Sequence, residues 1–376
     1  MCYHYGGDTM YRYFLISFIS TALFLAGCSK ETDRTTVGFM NTLSGRYSEM
    51  GQDTIKGVML ALSDSGMEDK INLDIQDDSG IPAEGVAALS RLSDKGVKYV
   101  IGPGLSNIAQ ATVPLLKSRG MYMLSPTVST SELAGKHDNF VRIIPHNSKK
   151  QAQQITKYIV HKLNVKNTVI LYDNRNSPYS TDIVRSVTSS FMEQGCNVTD
   201  IRAFNPESGE SMHRLIEKDR QNPPDMYYIV GSPLDTALII WQIKKANYSS
   251  KIVIRAWAAG NEFMRFGGEA VEGVYLFDYY VDKKSSEYSE FRKRYMARFK
   301  EEPSWMSVNG YETGQIMFHS LKDVKNGKKF CESIIQNAGE ISLLKGLKID
   351  SFGDAQLPLS AFIIKNGIVE KLEGTE

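Results

Sequence analysis

From residue 35 onward the chain alternates short apolar runs with amphipathic stretches, and that alternation leaves few folds open. Runs at 35–40, 71–75, 97–101, 121–124, 168–172, 226–230, 252–256 and 274–277 read as strands. Between them, 52–63 places Ile55, Val58, Met59 and Leu62 on one helical face, and 83–95, 181–194, 209–220 and 234–246 repeat the pattern. Several strands are apolar on both faces, as strands inside a parallel sheet are. The expectation is an α/β protein of the doubly wound type, and 376 residues suffice for two lobes.

Two polar loops, 102–109 and 125–133, each lie between a short apolar strand and a helical pattern. Their hydroxyls and backbone N–H groups suit an anion such as a carboxylate, and two such loops one βα unit apart would sit side by side at a sheet edge. The plainer alternative is that Ser106, Thr130 and Ser131 only cap helices. A closing hairpin is expected where 358–365 and 368–372 flank Asn366-Gly367. Segments 142–147, 278–284 and 348–354 look like crossings between lobes.

The amino terminus reads as an address. Residues 13–26 are almost all apolar, Arg12 precedes them, and the stretch is too short to span a bilayer, so it matches a signal-peptide core, with Met10 as an alternative start. Leu25-Ala26-Gly27-Cys28 resembles a bacterial lipobox, which would make Cys28 the lipid-modified first residue and 28–34 a tether. Cys196 and Cys331 then remain in an exported compartment, where two unpaired thiols are the expectation.

A net charge of +1 with 23% charged residues gives no reason to expect nucleic acid. The basic run at 292–300 interleaves with Phe291, Tyr295 and Phe299, as in an amphipathic helix with a solvated cationic face. Nucleophile-elbow, Walker and zinc spacings are missing, Gly102-Pro103-Gly104 lacks the third glycine of a dinucleotide fingerprint, and no cofactor or enzymatic activity is implied. Asp77-Asp78 are expected to end a strand and start a turn.

Five further segments carry a family likeness. Thr42-Leu43-Ser44-Gly45-Arg46-Tyr47 with Gly51-Gln52-Asp53, the 102–109 loop, Leu124-Ser125-Pro126-Thr127, Val141-Arg142-Ile143-Ile144-Pro145, and Phe291-Arg292-Lys293-Arg294-Tyr295 with Glu302-Pro303 stand in sequence. In that order the chain resembles periplasmic leucine/isoleucine/valine-binding proteins from about residue 35 to 348. The resemblance implies a substrate-binding protein of an ABC transporter, with two Rossmann-like lobes, three crossover strands and a ligand closed between them. It implies residues 35–147 with 281–350 as the first lobe and 148–280 with 351–376 as the second, after a signal peptide at 1–27.

By position, the resemblance implies that Ser106 binds the ligand carboxylate, helped by the backbone at Val128 and by Thr130. Tyr179 is similar to a second-lobe tyrosine that reaches across the cleft, and Met50 matches the side-chain pocket. Where amino-acid binders carry an acid for the ligand ammonium, Trp257 falls; either it replaces the acid, or the register shifts and Glu262 or Asp278 supplies the charge. The implied ligand is a branched-chain or other amino acid, with a non-amino-acid, aromatic carboxylate as the alternative. The implied partners are a permease and, through Cys28, a bacterial membrane; a regulatory lipoprotein acting through protein contacts is the second class of reading.

Overall fold

The computed structural model describes residues 1, 34–208, 211–279, 281–340 and 343–373. Residues 2–33, with the expected signal-peptide core at 13–26 and Cys28, lie outside the described residues. Strands β1 (Thr35–Asn41), β2 (Ile71–Asp77), β3 (Tyr99–Ile101), β4 (Tyr122–Ser125) and β5 (Phe140–Arg142) form a parallel sheet in the order β2–β1–β3–β4–β5. Helices α1 (Ser48–Asp64), α2 (Pro82–Asp94) and α3 (Ser106–Thr112) connect the first four strands. Because β2 and β3 flank β1 on opposite sides, the loops after β1 and β3 diverge and leave a crevice at their carboxyl ends.

After α4 (Lys149–Lys162) a second sheet begins. Strands β6 (Asn167–Asp173), β7 (Asn197–Phe204), β8 (Met226–Val230), β9 (Lys251–Arg255) and β10 (Tyr275–Tyr279) are parallel in the order β10–β9–β8–β6–β7. They alternate with α5 (Ser177–Glu193), the single turn α6 (Arg214–Glu217), α7 (Pro233–Lys245) and α8 (Asn261–Gly267). Every residue of β8 is buried, which is why its sequence shows no alternation. The helix expected over 209–220 shrinks to α6, upstream of Pro223-Pro224, which lack the N–H donors a helix needs.

The chain then returns to the first lobe as α9 (Ser286–Phe299), α10 (Trp305–Lys325) and α11 (Phe330–Ala338), followed by β11 (Lys348–Ile349) and β12 (Ala355–Gln356). It ends in the second sheet with β13 (Leu359–Lys365) and β14 (Ile368–Lys371), an antiparallel hairpin whose Asn366 and Gly367 both have positive φ. The third crossing therefore falls at residues 357–358, later than the 348–354 read from sequence. Residues 353–354 are still held by the first lobe: the Arg142 amide donates to the Gly353 carbonyl (3.0 Å), and the buried Arg142 guanidinium pairs with Asp354 (2.6 Å).

Helix α10 packs on α1 at backbone distance. A Cβ on Gly57 would stand 2.1 Å from the Ser307 carbonyl oxygen, and one on Gly310 would stand 2.2 Å from that of Thr54, so neither position admits a side chain. On α9, Phe291 and Tyr295 are buried while Arg292, Arg294 and Arg298 pair with Glu302, Asp64 and Glu68, which matches the solvated cationic face expected. One apolar layer runs continuously from Met40, Leu89 and Ile108 in the first lobe to Ile155, Val187 and Tyr228 in the second. The two lobes are therefore closed on each other. Cys196 and Cys331 are both free thiols. Among the described residues no helix is long and apolar enough to cross a membrane.

Candidate ligand-binding cleft

The carboxyl ends of both sheets face each other across one cavity, with about 40 Å3 of space open to the centre of a water molecule. That volume suits a single small molecule and excludes an oligomer. On the first-lobe side the loops after β1 and β3 are fixed by short contacts. Asp78 accepts from the Thr42 hydroxyl (2.6 Å) and Asp77 from the Leu43 amide (2.9 Å), so the acidic pair closes a turn, as expected from sequence. Gly102 has φ of 124°, and a Cβ there would collide with the Met40 carbonyl oxygen. Gly104 leaves room for the Met50 sulfur, which a Cβ would approach to 2.8 Å.

The two polar loops do lie side by side: Ser125 Oγ donates to the Pro103 carbonyl and Thr127 Oγ1 to that of Gly104, both at 2.8 Å. Their amides are less free than the sequence suggested. The Asn107 amide donates to Asn176 Oδ1 (3.2 Å) and the Ile108 amide to Asn107 Oδ1 (2.8 Å). Ser106 lines the cavity together with Thr127 and Ser129. Val128 and Thr130 do not line it. The Val128 amide is held by Ser125 Oγ (3.1 Å), the Thr130 hydroxyl accepts from Glu132 (3.3 Å), and the Thr130 carbonyl accepts from Arg142 (2.7 Å). Successive residues of an extended segment face opposite ways, so the cavity takes 127 and 129 while 128 and 130 turn inward.

Tyr179 reaches the cavity from the first turn of α5, and Trp257 from a single 3-10 turn after β9. The Trp257 ring lies 5.4 Å from Tyr179, edge to face, and 5.5 Å from Tyr47 of the first lobe. Met50, Ser106, Tyr179 and Trp257 thus come together from four elements. Trp257 does occupy the wall, but Asp278, near the end of β10, lines the same cavity. Glu262 lies elsewhere, its amide donating to Glu49 (2.7 Å).

Sequence reasoning passed over Arg255, Asn147, Asn176, Tyr279 and Trp305, all of which line the cavity. Arg255 is 7% exposed, and its Nε has no hydrogen-bond partner among the described residues. Burial opposes its charge, but the surrounding hydroxyls of Tyr228, Tyr179 and Tyr279 outweigh that and hold its pKa above the ordinary value. Burial pushes the Asp278 carboxyl up to about 7 against the Tyr279 amide, which donates to it (2.7 Å), and the Arg255 charge. The one available signal was a charged residue closing the apolar run Ile252-Val253-Ile254.

Polar contacts tie the lobes together around the cavity. Asp235 of α7, fully buried, accepts from Arg46 Nε (3.0 Å), Arg175 (2.7 Å) and the Ser232 hydroxyl (2.7 Å). Tyr47 donates to Asp173 (3.0 Å), and the Ser131 amide and hydroxyl both donate to Asp182 (2.8 and 2.7 Å). Among the described residues no group of three metal-ligating side chains assembles.

Two α/β lobes closed on a cavity lined from both define a ligand-enclosing protein of the hinged kind. The family model for periplasmic binding proteins matches residues 34–355, and the chain belongs to that family, one of solute-binding proteins. The Leu/Ile/Val-binding protein of Citrobacter freundii is 23% identical over 63% of this chain, and the match spans 65% of that relative's length. The Leu/Ile/Val/Thr-binding protein of Salmonella typhimurium is 23% identical over 64% of the chain and 67% of its own length. A leucine-binding protein from Thermotoga maritima superposes with a TM-score of 0.81 at 22% identity, covering 90% of this chain and 97% of that one. A solute-binding protein from R. palustris in complex with benzoate gives 0.79 at 18% identity, covering 90% and 95%.

Proposed function

We propose that this protein is an extracytoplasmic solute-binding lipoprotein, anchored through Cys28, that closes on a small carboxylate and presents it to an ABC permease. The observation that carries the reading is the cavity itself, enclosed between two lobes and lined by Ser106, Thr127 and Ser129 on one side and the buried Arg255 on the other. The Ser106 and Ser129 hydroxyls can donate to a carboxylate, while that of Thr127 is already given to the Gly104 carbonyl, and a buried guanidinium needs an anion to offset its desolvation. Relatives named for branched-chain amino acids and a neighbour solved with benzoate share one chemical group in their ligands, the carboxylate.

The test is a thermal-shift and calorimetric screen of the purified protein against amino acids, aliphatic acids and aromatic acids, each paired with its neutral amide. Acids are expected to raise the melting temperature and their amides to leave it unchanged. A screen in which no acid produces heat or a shift would overturn the reading.

A further inference from the structure

We propose that the site takes a small carboxylate that carries no ammonium group, and that Arg255 is the counter-ion of that carboxylate. The inference rests on the solute-binding reading above and narrows it to a ligand class. Three buried nitrogen atoms among the cavity-lining residues lack a hydrogen-bond partner among the described residues: Asn147 Nδ2, Arg255 Nε and Trp305 Nε1. They come from three separate elements, the segment after β5, the end of β9 and the first turn of α10. Each is a donor, and neither a guanidinium nor an indole N–H can accept. The wall from these three residues therefore asks for acceptor atoms.

An ammonium has three donors and no acceptor, so it could pair with none of the three nitrogens and would add a second positive charge beside Arg255. Asp278, the one carboxyl among the described residues lining the cavity, already accepts from the Tyr279 amide (2.7 Å) and has no ion-pair partner among the described residues. Burial favours its neutral form, which can itself donate. With Asp278 neutral, a monocarboxylate brings the charge of the cavity to zero. The remaining wall, Met50, Ile144, Tyr179 and Trp257, is apolar or aromatic and suits the body of such an acid.

The deciding experiment compares matched pairs on the unmodified protein by calorimetry at pH 7: leucine against 4-methylpentanoate and 4-methyl-2-oxopentanoate, and phenylalanine against 3-phenylpropanoate and 2-oxo-3-phenylpropanoate. At least one deaminated acid is expected to bind ten-fold or more tightly than its amino acid. Arg255→Gln should weaken that acid at least a hundred-fold, and Asp278→Asn should leave its affinity within about two-fold, since the neutral carboxyl it replaces carries no charge. An amino acid that binds as tightly as its deaminated partners, or whose binding Asp278→Asn abolishes, overturns this inference and leaves the solute-binding reading standing. If no member of either set binds, the carboxylate reading falls and this inference falls with it.

Discussion

Replacing Arg46 by alanine should loosen the closed form without disturbing either lobe. Arg46 belongs to the loop after β1 and Asp235 to α7 of the second lobe, so their contact exists only while the cleft is shut. Asp235 is fully buried, whereas the Arg46 side chain is 31% exposed. A hydrogen-bonded charge pair contributes about 1.5–3 kcal/mol, and exposure of one partner brings this to about 1–2 kcal/mol. Asp235 keeps Arg175 and Ser232, so no unpaired buried charge adds to the loss. Since ligand affinity includes the free energy of closure, Kd should rise about 5- to 30-fold. The change should appear in the dissociation rate, read by stopped-flow fluorescence of the tryptophans in the cleft. Arg292→Ala removes an exposed pair within the first lobe and serves as the control, with no change expected. If Arg46→Ala leaves affinity and dissociation rate within about two-fold of the unmodified protein, the contact is not a latch.

Three other outcomes follow from buried groups. Glu49 is pushed up to about 7 by burial, opposed by the Glu262 amide it accepts from, so closure favours its protonated form; affinity should fall as pH rises through 7, and Glu49→Gln should flatten that slope in a calorimetric pH series. Glu312 on α10 is pushed up to about 8 by burial, with Leu343 N–H as its partner. A raised carboxyl stabilises below its unfolded pKa and loses that contribution as pH climbs to the folded value, so Glu312→Gln should gain on the order of 2–3 kcal/mol near pH 8 in urea melts and almost nothing near pH 4. Gly310→Ala forces α1 and α10 apart and should cost about 3 kcal/mol or more in the same melts; a change below about 1 kcal/mol would contradict the backbone contact.

Eight strands of the two sheets were legible because buried parallel strands are short, apolar and bounded by turn residues, as 226–230 shows, whereas the three-residue β5 and the largely exposed edge strand β7 were not among the runs read. Helix α10 gave no such signal. Asn309, Glu312 and Thr313 are buried beside Gly310 and Gly314, so its buried surface wraps around the helix and no apolar stripe stands out. At the cleft, the family pattern brought Met50, Ser106, Tyr179 and Trp257 to one cavity, while Val128 and Thr130 missed it by one residue each. A one-residue slip in an extended segment exchanges its two faces, and no local pattern in 125–133 fixes which face is inward. Arg255 was hidden for another reason. A single charge at the end of an apolar strand reads as a strand terminus until neighbouring strands bring two such ends together.

The contact between Gly57 and Gly310 also orders events in time. The first lobe needs α10 seated directly on the α1 backbone, and α10 is synthesised only after the whole parallel portion of the second sheet. A nascent chain that has emerged as far as β5 holds five strands with one side of their sheet covered by α1 alone, and α1 itself lacks the helix it packs against. Long-range closure of this kind is slow. The amino-terminal lobe is thereby kept from completing its fold until most of the polypeptide exists.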